Sequence, residues 1–128
     1  MDLALLATLK QELLHSQDFK QIWSYFMDNF GEDPAFIALG ERTRHPMLEA
    51  IVSQTCGQLF GKPVSLGNLL LTRLPEHHFI HGGFMVQGRL ATVFYFEDIQ
   101  VGLITVVMAF GTGDNRLIRF TGRPLHTN

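Results

Sequence analysis

The chain has a single cysteine, Cys56, among its 128 residues, so no intrachain disulfide can form. A lone cysteine suits a reducing compartment, and we expect a cytoplasmic protein. No apolar run approaches the ~20 residues that a transmembrane helix needs, so no membrane association is predicted. The first ten residues are apolar, but Asp2 stands where a secretory signal would carry positive charge, which favours a helix there.

Charge is also scarce. Charged residues make up 17% of the chain and the net charge is −2, whereas roughly 25% is typical of globular proteins. Because neither a basic face nor a long run of one sign is present, the composition gives no support for binding to nucleic acid or anionic membranes. With 46% hydrophobic residues, much of the surface must be neutral or buried in contacts.

Recognisable catalytic sets are missing as well. No acidic residue falls inside a predicted strand, no Ser or Cys sits in a G-x-S-x-G pattern, and Gly111–Gly113 lacks the rest of a phosphate-binding loop. His77 and His81 would lie about 13 Å apart on a strand at ~3.3 Å per residue, too far apart to share a zinc ion. We predict no catalytic residue, no metal and no cofactor, which favours a protein that is not an enzyme.

The N-terminal half has helical periodicity. Leucines recur at helical spacing up to about His15, and aromatic residues keep the same spacing across Phe19–Phe30. A further helix is predicted over Pro46–Phe60, and Ala35–Leu39 would form a short turn of helix. The polar run Glu41–His45 predicts an exposed loop.

Strand patterns replace helical ones after residue 68. The predicted strands are Leu69–Leu74, His78–Val86, Arg89–Phe96, Val101–Phe110 and Arg116–Thr121. Their short connections force antiparallel neighbours, because a parallel crossover needs a dozen residues or more. The sequence predicts a single α+β domain, residues 1–128. Three to four N-terminal helices (residues 1–62) pack on one face of a five-stranded antiparallel meander sheet (residues 66–122).

The predicted register separates two sheet faces. It places Leu70 opposite His81, His81 opposite Phe94, and Thr92, Thr105 and Thr121 in one row. The first face, called here the apolar face, carries Leu71, Ile80, Phe84, Val93, Tyr95, Ile104, Val106, Met108, Ile118 and Phe120, and we assign it to the helices. The second, called the mixed face, carries Thr72, Phe79, His81, Met85, Leu90, Thr92, Phe94, Phe96, Val101, Leu103, Thr105, Val107, Arg119 and Thr121.

The mixed face needs a cover, because its phenylalanines together would exceed the few hundred Å² of apolar patch usual for monomers. A second copy of the chain could cover it, the sheet could curl around an apolar ligand, or the first helix could fold across it. We favour the second copy, since symmetric dimers are the commonest oligomers, and rank the helix last. A different protein is a weaker alternative. The candidate ligand or interface residues are Phe79, His81, Thr92, Phe94, Phe96, Leu103, Thr105, Arg119 and Thr121.

The sequence therefore favours a non-catalytic, homodimeric binding or adaptor domain assembled through the mixed face. The alternative is a small-molecule-binding protein or enzyme with a pocket on this face for a small apolar or carboxylate ligand. That pocket would be lined by Phe79, His81, Phe94, Thr105 and Arg119.

A second candidate site lies before the helix that begins at Pro46. Arg42 and Arg44 could hold an anion there, because arginines and a helix N-terminus both attract negative charge. The simpler interpretation is a solvated loop whose arginines pair with Glu41 and Glu49.

Overall fold

A computed structural model describes residues 3–15, 18–29, 41–61, 69–111 and 116–123. The helices within these ranges are α1 (Leu3–His15), α2 (Phe19–Asn29) and α3 (Pro46–Phe60). The strands are β1 (Glu41–Thr43), β2 (Leu70–Leu74), β3 (Phe79–Val86), β4 (Arg89–Asp98), β5 (Leu103–Phe110) and β6 (Arg116–Gly122). The predicted turn at Ala35–Leu39 lies outside the described residues. None of the described helices is long and apolar enough to cross a membrane.

The strands form one antiparallel sheet in chain order from β1 to β6. The prediction of an antiparallel α+β fold is confirmed, but the count of five strands was wrong. The additional strand is β1, which lies in the predicted loop and pairs with β2, placing Arg42 opposite Thr72. Three polar residues are too short a run to show the period of a strand, so the pattern could not reveal β1.

Helices cover both faces of the sheet, which corrects the prediction that they share one face. Helix α3 packs on the apolar face, where its Leu48, Val52 and Cys56 join a core with strand residues such as Val93 and Met108. Helices α1 and α2 pack on the mixed face. Their Leu6, Leu9, Leu13, Ile22 and Phe26 form a second core with Leu74, Phe79, Phe94, Phe96 and Val107. Since both faces are largely apolar, both need a helical layer, and three layers result.

Local sequence sets the limits of α3. His45 precedes the helix, and its Nδ1 accepts a hydrogen bond from the backbone N–H of Leu48 at 3.1 Å, while Pro46 occupies the first turn. At the other end Gly61 adopts φ +69°, and its N–H donates to the carbonyl of Gly57. A left-handed glycine is the usual helix stop.

The observed register agrees with the prediction in two places and departs from it in two. His81 lies opposite Phe94, and Thr105 lies opposite Thr121, as predicted. Leu70 instead faces Gly83, two residues from the prediction, because Pro75–His77 form a 3₁₀ turn followed by a left-handed His78.

The second departure is at the turn between β4 and β5. Thr92 faces Ala109 rather than Thr105, because the chain reverses over residues 99–102, with Gly102 at φ +69°, instead of over 97–100. The predicted row of three threonines was therefore wrong. Both errors are even numbers of residues, so the side chains that lie in strands keep their predicted faces, whereas Val101 falls in the turn before β5.

Candidate functional site

The mixed face gathers the predicted site residues, and α1 and α2 cover its centre, while Met85 and Leu90 near its end stay about half exposed. Phe79, Thr92, Phe94, Phe96 and Thr105 are buried, His81, Leu103 and Arg119 are partly exposed, and Thr121 is exposed. The ring of Phe26, from α2, lies 4.4 Å from that of His81 and 5.1 Å from that of Phe94, measured between centroids. Of the three covers considered, the structure shows the helical one, with α2 taking part beside α1.

His81 is held in a defined hydrogen-bond chain under α2. The hydroxyl of Thr92 donates to the carbonyl of Gly82 at 3.0 Å and lies 2.7 Å from Nε2 of His81. Because a hydroxyl has one hydrogen, it accepts from the histidine, which therefore carries its proton on Nε2. Burial lowers the pKa of His81 to about 4. His81 is thus neutral near pH 7 and already engaged within the chain.

Arg119 and Thr121 join elements of the fold. Nη1 of Arg119 donates to the carbonyl of Leu14 at 2.7 Å, in the last turn of α1. A cation is favourable there, since the exposed carbonyls of a helix C-terminus carry partial negative charge. The hydroxyls of Thr105 and Thr121 are 3.3 Å apart across β5 and β6.

The two arginines of the predicted anion site have different surroundings. Arg44 forms an ion pair with Glu49 at 3.0 Å and is 86% exposed, so this pair contributes little stability. Arg42 is exposed on the short strand β1. The pairing with Glu49 follows the simpler interpretation, whereas the anion site stays a prediction.

Two other side chains that could take part in chemistry, Cys56 and Tyr95, are held in unreactive states. Burial raises the pKa of the Cys56 thiol to about 11, and a thiol in that state is a poor nucleophile. The hydroxyl of Tyr95 donates to Oε1 of Glu97 at 2.7 Å, and burial is the main cause that raises the pKa of Tyr95. Within the described ranges, no group of three His, Cys, Asp or Glu side chains could hold a metal ion.

An open cavity lies instead on the apolar face, at the end nearest β6. Its volume is about 390 Å³. We call it the α3–β6 groove, and it is lined by Ile51, Gln54, Thr55 and Gln58 of α3, Ile104 and Val106 of β5, and Phe120, Thr121 and Gly122 of β6.

The α3–β6 groove exists because α3 does not cover the last strand fully. The four lining residues of α3 recur at i, i+3, i+4 and i+7, which places them on one side of the helix. Val106 pairs with Phe120, and Ile104 pairs with Gly122, so the sheet beneath continues past the helix. Phe120 remains 43% exposed, and Gly122 has no side chain to fill the end.

The lining of the groove is neutral throughout, since no ionisable side chain is among the nine residues. Thr55 is 7% exposed. The side chains of Gln54, Thr55 and Gln58 form no hydrogen bond with another described residue, and none of their polar atoms is among the buried ones that lack a partner. The walls therefore offer the hydroxyl of a largely buried threonine and two solvent-facing amides above an apolar floor.

The sequence prediction missed this groove because it assigned Ile104, Val106 and Phe120 to ordinary core. The available signal was the side of α3 on which Gln54 and Gln58 alternate with Ile51 and Thr55. A helix side that mixes amides with apolar residues does not fit a dry core.

Comparisons with known proteins add no relative. No family model matches the sequence, and neither the curated proteins nor the solved structures contain a significant match.

Proposed function

We propose that the protein is a non-catalytic binding domain that holds a small, largely apolar molecule in the α3–β6 groove. The observation that carries this proposal is the groove itself, with about 390 Å³ of space over a floor of Ile104 and Val106. Small-molecule sites are typically concave and mostly apolar, with volumes of about 300–1,000 Å³ and a few polar groups in the wall.

The absence of catalysis is proposed from the state of the reactive side chains described above. His81 is bonded to Thr92 beneath α2, on the opposite face from the groove. Cys56 is buried with a raised pKa. A general base or nucleophile must reach its substrate, and neither residue lines the groove.

A cytoplasmic location remains part of the proposal. It is supported by Cys56, a buried free thiol, in a chain with no second cysteine. Free thiols of this kind persist in reducing compartments.

A homodimer is the second candidate, and it would need a surface other than the centre of the mixed face, which α1 and α2 cover. Among the described residues β6 pairs with β5 alone, and a strand at a sheet edge can pair with another chain. Light scattering at increasing micromolar concentrations tests this candidate. A constant mass of 14.5 kDa would rule it out and leave the groove proposal intact.

Binding in the groove can be tested with 1,6-diphenylhexatriene, an uncharged hydrocarbon that fluoresces when shielded from water. We expect saturable binding of one probe per chain. Phe120→Ala should weaken it roughly five- to tenfold, since part of an aromatic contact worth ~1.5–3 kcal/mol is lost.

Leu90→Ala is the matched control for this measurement. Leu90 is 48% exposed, similar to Phe120, but it lies on the mixed face. The control should bind the probe as the unmodified protein does. Absence of binding to the unmodified protein, or equal weakening by both substitutions, would contradict the proposal.

A further inference from the structure

The polar wall of the groove indicates what kind of molecule it selects, an inference that rests on the proposed binding function. Thr55 is the central observation. It lies on α3, is 7% exposed, lines the groove, and has no side-chain hydrogen bond to another described residue. Its hydroxyl is not among the buried polar atoms that lack a partner in the described residues, so its oxygen reaches the groove. A hydroxyl both donates and accepts hydrogen bonds, and a ligand in the groove can bond to one that no protein group occupies.

Gln54 and Gln58 extend this polar wall toward solvent. They are one helical turn apart, both are exposed, and both line the groove. Each amide can donate and accept hydrogen bonds but carries no charge. The wall therefore complements an uncharged head group that also donates and accepts.

The apolar floor of the groove and the absence of charged side chains determine the other properties of the ligand. Ile104 and Val106 are buried by the protein apart from the surface that they give to the groove, and Phe120 adds an aromatic side. Transferring a charged head group onto such a surface without a counter-ion is costly, because the charge loses water and gains no partner. A neutral head group avoids this cost.

We propose that the α3–β6 groove selects a neutral, largely apolar molecule with one amide-like head group, and that the Thr55 hydroxyl determines this selectivity. The apolar body lies over Ile104, Val106 and Phe120. The head group bonds to Thr55, with the amides of Gln54 and Gln58 beside it.

Three ten-carbon compounds that differ in the head group test the selectivity. Decanamide, decanoate and decylamine have similar chains but are neutral, anionic and cationic near pH 7. Each is titrated against protein loaded with 1,6-diphenylhexatriene, and displacement gives the affinity. Decanamide should bind at least about tenfold more tightly than either charged compound.

Thr55→Val tests the role of the hydroxyl, because valine keeps the branched shape and loses the polar atom. Decanamide affinity should fall roughly three- to tenfold, the value of one neutral hydrogen bond, while the hydrocarbon probe binds unchanged. Thr55→Ser retains a hydroxyl and should keep the preference for decanamide. If the valine variant fails to fold, the serine variant and the head-group series still decide the question.

Gln58→Glu tests the neutrality of the wall with almost no change of shape. This exposed position tolerates a carboxylate, which should shift the preference from decanamide toward decylamine. Retained helical circular dichroism and retained fluorescence of Trp23, the single tryptophan, would show that each variant is folded.

The outcomes separate this inference from the proposed function. Without binding of the hydrocarbon probe, the proposed function itself fails. If the probe binds but decanoate or decylamine competes as well as decanamide, or if Thr55→Val retains full decanamide affinity, the inference is overturned and the binding function stands. Probe binding that falls as protein concentration rises would show that a second copy occupies the groove, and would also overturn the inference.

Discussion

The two faces of the sheet differ from what their side chains indicate, since the face expected to bind a partner is covered and the face expected to be core contains a groove. The mixed face carries histidine, threonines and an arginine among its phenylalanines, yet α1 and α2 cover its centre, and Phe26 lies directly on His81. The apolar face reads as ordinary core, yet it contains the open groove beside β6. The difference lies in the covering helices, since within the described ranges two helices cover one face and a single helix covers the other.

This comparison shows that polar residues on a sheet face do not by themselves indicate a binding site. His81 and Thr92 bond to each other and to the carbonyl of Gly82, so their polarity is satisfied within the chain. Thr55 on the other side is nearly as buried as Thr92 but has no such partner among the described residues. The useful distinction is therefore between polar groups bonded within the chain and polar groups that reach a groove without a protein partner.

The largest expected effect comes from removing a ring from the closed face. Phe94 is fully buried and contacts the rings of Phe26 and His81. Phe94→Ala should lower the free energy of unfolding by about 3–5 kcal/mol. Urea unfolding followed by the fluorescence of Trp23, which lies on α2, measures this change.

Leu90→Ala, on the same strand and face but 48% exposed, is the control and should cost less than about 1 kcal/mol. If Phe94→Ala costs as little as this control, then α1 and α2 do not bury the centre of the mixed face and the comparison fails.

The next effect is the pH dependence caused by His81. Its pKa is about 4 in the folded protein against an ordinary 6.5, so folding favours the neutral ring. The associated stability is fully present above pH 6.5 and is lost as the pH falls through 4, a difference on the order of 3 kcal/mol. Unfolding free energies between pH 7.5 and 3.5 should show this loss, and His81→Gln should lack that part of it. Parallel pH profiles for the two proteins would contradict the burial of a neutral His81.

The smallest expected effect is the difference in stability between alanine substitutions at two neighbouring glycines, which face opposite helical layers. A Cβ on Gly82, beneath α3, would lie 2.6 Å from Cδ2 of Leu71, whereas a Cβ on Gly83, on the mixed face, would have nothing closer than 3.9 Å. Gly82→Ala should therefore destabilise the protein by about 1–3 kcal/mol through overpacking.

Gly83→Ala should change stability by less than about 1 kcal/mol, because the added methyl meets only ordinary contacts. Melting temperatures of the two variants measure the contrast. Equal losses would show that the apolar face is not packed more tightly than the mixed face at this position.

The sequence was enough to predict which side chains share a sheet face, but not the exact register of the strands or the placement of the helices. Alternation along the strands predicted correctly which side chains share a face, since both register errors were even. The turn residues were harder, because a 3₁₀ turn at Pro75–His77 and a left-handed Gly102 take up residues that a symmetric two-residue turn would leave in the strands.

The order of preference among the covers was also not predictable from the pattern alone. A leucine-rich helix such as α1 can pack on either face, and α3 competes for the same apolar surface. The arrangement of the helices depends on how much of each sheet face a helix can reach. The α3–β6 groove follows from the same limit, and the sequence indicates it only through the side of α3 that mixes Gln54 and Gln58 with Ile51 and Thr55.

The hydrogen bond from Arg119 to Leu14 joins residues 105 positions apart. The layer formed by α1 and α2 also depends on Val107 in β5 and contacts Leu117 in β6. A ribosome therefore releases the first two helices long before the strands that complete their packing surface. Since distant contacts form slowly and unfinished apolar surfaces associate, the newly made N-terminal segment waits for almost the whole chain before it can fold.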